Sequence, residues 1–120
     1  MKKRTLVLGA SLKPSRYSNI AIKRLRDNAI ETVAVGLQKG IVADVAIETE
    51  NIFFENIDTV TLYLNPKRQE SYYEYIINLQ PRRVIFNPGA ENIELMELLK
   101  ENGIESEIAC TLVLLSTKQY

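Results

Sequence analysis

Apolar residues come along this chain in short dense runs, separated by polar stretches rich in turn-forming residues. The runs are residues 5–10, 32–35, 59–64, 84–86 and 104–109, with Val, Ile, Leu and Thr prominent in them. The first, third and fourth are almost continuously apolar rather than alternating, the pattern of strands that bury both faces in a parallel sheet. Three stretches between the runs carry apolar residues at helical spacing instead. The first predicts a helix from Ser18, as N-cap, to about residue 28, turning Ile20, Ala21 and Leu25 inward. The second opens on Asn65-Pro66, a capping residue followed by proline at the first helical position. It runs to about residue 79, with Tyr72, Tyr73, Ile76 and Leu79 at helical spacing before Pro81 stops it. The third spans about 91 to 102, with Leu95, Leu98 and Leu99 on one stripe, acids in its first turn, Lys100 in its last and Gly103 beyond.

Residues 36–56 fit neither period. Within them, 42–47 read as a short extra strand or part of a hairpin, and 52–54 as a helical turn. Strands alternating with helices predict an α/β fold: a Rossmann-like, doubly wound, mostly parallel five-stranded sheet with helices on both faces and right-handed crossovers. Such sheets bind ligands beyond the carboxyl ends of their strands, where the strand order reverses. The segments that follow strands are therefore where function is to be sought.

Composition narrows the chemistry. The 120 residues suffice for one domain with its own core. Lys and Arg together number 15, as do Asp and Glu, so no global field draws the chain to nucleic acid or an anionic membrane. Charge recognition must be local. A lone cysteine, Cys110, forms no internal disulfide, and the start MKKRTLVLGAS enters strand-like sequence without the apolar stretch of a secretory leader. The most apolar run, residues 111–115, falls far short of the roughly 20 residues a membrane-spanning helix needs. A cytoplasmic protein is expected. Histidine is absent, which removes the commonest general base and metal ligand and any phosphohistidine intermediate. With one cysteine besides, no structural zinc site is expected.

The segment after the first run reads GASLKPSRYS, residues 9–18. Gly9 permits a tight turn and close approach to the main chain, Ala10 keeps that approach narrow, and Ser11 and Ser18 offer hydroxyls. Lys13 and Arg16 add two charges beside a helix N-terminus, where unpaired N–H groups favour an anion such as phosphate. An ordinary βα turn with solvated cations serves the same pattern. The dinucleotide fingerprint G-x-G-x-x-G is not met, since Ser11 and Pro14 stand at its later glycines. Nor does the second run, which ends Val35-Gly36-Leu37-Gln38-Lys39, present the acid that binds the ribose of NAD. Lys39 there would suit a phosphorylated ribose, as in coenzyme A or NADP. The third and fourth runs lead into Tyr63-Leu64-Asn65 and Asn87-Pro88-Gly89, which read as caps and turns or as edges presented to a ligand.

In order and spacing, GAS with the following K-P-x-R-x-S, VAVG, LYLNP, VIFNPGAEN and the terminal ACTLVLLST resemble the small coenzyme A-binding proteins of the succinyl-CoA synthetase α-subunit type. The likeness covers nearly the whole chain. It implies a Rossmann-like domain holding coenzyme A or an acyl-CoA, with Gly9, Ala10, Ser11, Lys13, Arg16 and Ser18 around the phosphates. Val35, Gly36 and Lys39 would lie near the adenosine end, Tyr63, Leu64 and Asn65 along the groove, and Asn87, Pro88 and Gly89 toward the pantetheine. Two departures stand out: Ala29 replaces a glycine that often ends the first helix in relatives, and Asp44 and Ala46 interrupt a segment that commonly reads G-x-P.

The related ligases pass phosphate through a histidine outside this domain, so independent ligase chemistry is excluded here by residue inventory. Non-catalytic binding is the expectation, with no catalytic residue and no metal. Two other functions share the same residues: an NADP-dependent oxidoreductase, in which Tyr63, Lys13 and Glu91 would be the acid–base candidates, and a partner-binding domain with an unused nucleotide site. Cys110, at the ligand end of the sheet, reads either as a redox-active thiol meeting that of coenzyme A or as a small buried hydrophobe. Residues 111–120 would cover a sheet edge or meet a second copy. The partners expected are a small nucleotide-type ligand, a further copy of the chain, and a ligase or acyltransferase.

Overall fold

A computed structural model describes residues 4–120. Residues 1–3, which enter the expectation about a leader, lie outside the described residues. Strands β1 (Arg4–Ala10) and β2 (Glu31–Gly36) pair in parallel, joined by helix α1 (Tyr17–Asp27). A hairpin follows, β3 (Gly40–Val42) and β4 (Val45–Glu48), antiparallel within itself and parallel to β2 through β4. The chain then crosses to the other side of β1 as β5 (Ile57–Leu62). It continues through α2 (Pro66–Gln69), a 3-10 turn (Glu70–Tyr72), α3 (Tyr73–Leu79), β6 (Arg83–Phe86), α4 (Ile93–Glu101), β7 (Glu105–Ile108) and α5 (Thr111–Ser116). The sheet order is β3-β4-β2-β1-β5-β6-β7, and all pairings but β3 with β4 are parallel.

The sheet is therefore mostly parallel, as expected, but has seven strands rather than five. The two additional strands are the hairpin. Its turn places Ala43 at φ +56°, a left-handed position where Gly or Asn is the usual marker, which is why pattern alone left this segment open. The tip is tied to α1 by a bidentate pair from Arg26 to Asp44 at 2.8 and 2.9 Å. That hydrogen-bonded guanidinium holds the Asp44 carboxyl below its ordinary range. The departures at 44 and 46 are thus built into a hairpin. Ala29 also sits left-handed, at φ +57°, the conformation that a glycine would take without strain and that costs another residue about 1–2 kcal/mol.

Alternation along the central strands explains why they are apolar throughout. Leu6, Leu8, Val60, Leu62, Val84 and Phe86 pack on one face beneath Tyr75, Ile76 and Leu79 of α3 and Leu95 and Leu99 of α4. Val7 and Ala34 belong to the second face, with Ile22 and Leu25 of α1 and Leu115 of α5. Each fully buried side chain of this size contributes about 1.5–3 kcal/mol, so the two faces hold the strand ends in fixed positions.

Local readings are corrected in four places. Helix α1 begins at Tyr17, with Arg16 as N-cap and no side-chain capping bond; Ser18 lies buried in its first turn. The Arg16 carbonyl already accepts from Asn19 and Ile20 N–H at 3.0 and 3.1 Å, which sets the start two residues early. The helix expected from Asn65 to residue 79 is capped by Asn65 but broken after Gln69. Gln69 is fully buried; its Nε2 donates to the Leu64 and Ala90 carbonyls, both at 2.8 Å, and its Oε1 accepts from Asn92 at 2.9 Å. This inward anchor interrupts a helical period that otherwise runs on. Residues 52–54 form no helical turn; the Tyr75 hydroxyl holds them by donating to the Ile52 carbonyl at 2.7 Å. Finally, residues 111–120 lie over the α1 side of the sheet rather than along its edge, Leu115 packing near Ile22 and Leu25.

Candidate functional site

The strand order reverses at β1, with β2 on one side and β5 on the other. Connections from these strands leave toward opposite faces, and a crevice opens beyond their carboxyl ends. A cleft of about 520 Å³ lies there, walled by the segments after β1, β2, β5 and β6.

Its floor depends on two glycines. Gly9 sits at φ +95°, in a bulge where the β1–β2 register slips between Leu8 and Ala10. A Cβ on Gly9 would stand 3.0 Å from the Tyr63 carbonyl and from Leu64 Cγ. The glycine thus lets β1 turn and lets the β5 exit pass against it. At Gly36 a Cβ would stand 2.2 Å from the Ala10 carbonyl oxygen, closer than any packing tolerates.

Above the floor the β1–α1 loop is held by its own polar groups. Ser11 Oγ accepts from Lys13 N–H at 3.1 Å, and Arg16 N–H donates to the Lys13 carbonyl at 3.1 Å. The buried Asn19 of α1 clasps the loop by donating Nδ2 to the Ser11 carbonyl at 2.9 Å. This arrangement carries Lys13 and Arg16 into the cleft wall beside Tyr17 and Ser18 of the first turn of α1. Arg68, on α2, enters the wall on the β5 side. No Asp or Glu lines the cleft, and none of the three cations has a carboxylate partner among the described residues. The electrostatics of the space favour an anion.

Twelve of the residues singled out from sequence meet in this cleft: Gly9, Ala10, Ser11, Lys13, Arg16, Ser18, Gly36, Tyr63, Leu64, Asn65, Pro88 and Gly89. Four lie elsewhere. Val35 is fully buried in the core, and Lys39 is exposed one residue beyond the lining. Asn87 is buried and committed: Nδ2 donates to Thr61 Oγ1 at 2.6 Å and to the Leu62 carbonyl at 2.9 Å, while Oδ1 accepts from Thr111 N–H at 2.9 Å. It staples β5, β6 and α5 together. Cys110, half-buried, is the N-cap residue of α5. The Tyr63 hydroxyl is buried without a partner at bonding geometry, and burial pushes its pKa up to about 12 despite the nearby Thr61 and Thr111 hydroxyls.

The cleft also takes residues that the sequence did not suggest. Leu37 and Gln38 directly follow Gly36 and could have been found by extending that segment. Leu12 and Tyr17 belong to the β1 loop already marked. Arg68 carried no signal, and Tyr72 stood out only as part of the apolar helical spacing of residues 65–79; they stand one and two helical turns past the β5 exit. Among the described residues no three His, Cys, Asp or Glu side chains gather closely enough to hold a metal ion, and no helix is long and apolar enough to cross a membrane.

Fold and cleft together define a Rossmann-like α/β domain with an anion-favouring crevice at the reversal point of its sheet. The chain belongs to the CoA-binding domain family, whose profile matches residues 3–116. A crystal structure of an uncharacterized protein is similar over 100% of this chain and 99% of its own, with 50% identity and a TM-score of 0.96. A Thermus thermophilus protein shares the fold at 22% identity and a TM-score of 0.87, over 99% of this chain and 91% of that one. A hypothetical protein from Pyrococcus horikoshii OT3 shares it at 24% identity and 0.83, over 93% and 80%. No curated protein matches the chain.

Proposed function

We propose that the chain binds coenzyme A or an acyl-CoA in the cleft above Gly9, as a module that performs no chemistry of its own. The observation that carries this reading is the charge of the cleft: three cations without carboxylate partners, and no acid in its walls. A diphosphate seated on the β1–α1 loop would meet Lys13, Arg16 and the first N–H groups of α1. Membership of the CoA-binding domain family supports the choice of ligand. In this reading the domain is the counterpart of the nucleotide-binding domain of ligase α-subunits, and any group transfer falls to a partner enzyme.

The acid–base groups near the cleft support binding without catalysis. The Tyr63 hydroxyl is buried and held near pKa 12, far from the value a general base needs at neutral pH. Glu91 accepts from Gly89 N–H at 2.8 Å and does not line the cleft.

Calorimetric titration with coenzyme A, NAD, NADP and ATP tests the proposal. Coenzyme A should bind tightest, with affinity falling as salt rises because charge drives it. Binding of NAD or NADP in preference to coenzyme A would contradict it and favour the oxidoreductase reading.

A further inference from the structure

We infer that the outer edge of β3 is an interface, and that its occupant is the β3 of a second copy of this chain, set antiparallel about a twofold axis at Ile41 so that two sheets become one. The inference is independent of the coenzyme A reading.

The sheet has two outer strands, β3 and β7, and they are guarded unequally. β7 carries Glu105 and Glu107, so a second β7 laid alongside would set acid beside acid, a usual protection of an exposed edge. β3 has no charged residue. It reads Gly40-Ile41-Val42, and Ile41 is 72% exposed. Among the described residues no strand pairs with its outer side.

The hairpin register fixes what that side presents. Val42 and Val45 close the two-residue turn Ala43-Asp44, and Gly40 lies opposite Ile47. Such a closing pair exchanges hydrogen bonds and the pattern alternates along an antiparallel ladder, so residues 40 and 42 bond to β4 while the N–H and carbonyl of Ile41 point outward. A donor and an acceptor on one residue are complementary to the same residue turned through a half-rotation; two copies would exchange both bonds at Ile41. The side chains suit this. Val42, Val45 and Ile47 pack toward α1, so Ile41 and its cross-strand neighbour Ala46 lie on the opposite face, where both are exposed. Pairing would set Ile41 against Ile41 and extend that apolar surface across the seam.

Charge agrees with the register. Residues 39 and 43 stand opposite across the axis, which brings Lys39 diagonal to Asp44 of the second copy, twice by symmetry. Lys39 is exposed and has no ion pair among the described residues, and Asp44, though bonded to Arg26, keeps 65% of its side chain in solvent. No acid faces an acid in this arrangement.

Sedimentation velocity on the full chain without ligand, from low to high micromolar concentration, tests the inference. Wild type should dimerise with a micromolar dissociation constant, as suits a short seam, and amide exchange at Ile41 should slow as concentration rises. Ile41→Lys, which sets two like charges on the axis, should stay monomeric over that range with an unchanged urea midpoint, because the side chain is exposed in the single chain. Lys39→Glu, which turns an acid toward Asp44, should weaken the dimer about tenfold and decides the matter should Ile41→Lys fold poorly. A monomeric wild type overturns the inference. So does a dimer that survives both substitutions, because the copies would then meet through another face.

Discussion

The two ends of the sheet use positive charge in opposite ways. At the strand starts every arginine is bonded within the fold. Arg4 pairs with Glu31 at 2.7 Å, and Arg82 with Asp58 at 3.0 Å and Glu105 at 3.8 Å. Arg83, 6% exposed, donates to Thr59 Oγ1 at 2.9 Å, faces Glu107 at 3.3 Å and lies 4.6 Å above the Tyr120 ring. At the strand ends Lys13, Arg16 and Arg68 are exposed and have no such partners. A net charge of zero hides this division. Arginines at the base are bonded to carboxylates of the fold, and the cations of the cleft are not.

Substitutions should separate the two ends. The largest effect on stability is expected at the base. Arg83→Met, which leaves the Glu107 carboxylate without its guanidinium and removes one of the two hydrogen bonds of the Thr59 hydroxyl, should cost about 3 kcal/mol in urea unfolding. Coenzyme A affinity in the protein that remains folded should be unchanged. Gly36→Ala comes next, because its Cβ would press on the Ala10 carbonyl; about 2–3 kcal/mol of stability should be lost, and the cleft floor displaced with it. At the cleft, Asn19→Ala should cost about 1 kcal/mol through the lost bond to Ser11, and should weaken coenzyme A binding by freeing the loop.

A further effect concerns pH. Burial holds Tyr63 near pKa 12 against an ordinary 10.0, so the folded state resists its ionisation more than the unfolded chain does. Its contribution is complete below pH 10 and is lost as pH rises toward 12. Stability should decline over that window, and Tyr63→Phe should flatten the decline. An unchanged slope would mean that the hydroxyl reaches solvent.

Much of this division could be read from sequence, for identifiable reasons. Continuous apolar runs marked β1, β5 and β6, since both faces of each are covered, and turn chemistry marked the segments after them. Gly103 and Asn65 end and begin helices as their residue types dictate. What pattern could not supply was set by tertiary contacts. Gln69 breaks a helix because carbonyls 5 and 21 residues away accept from it. Ala43 takes a left-handed turn with no glycine to announce it. Asn87 and Val35 follow or end strands like their neighbours, yet both are consumed inside the fold.

The most direct test of the central claim is a calorimetric titration of coenzyme A into wild type and into a Lys13→Glu, Arg16→Glu double variant, alongside their urea unfolding curves. Unfolding midpoints should agree, while the affinity of the double variant falls by about 100-fold, because both charges are used by the ligand and by nothing else. Equal coenzyme A affinities in the two proteins would contradict the account.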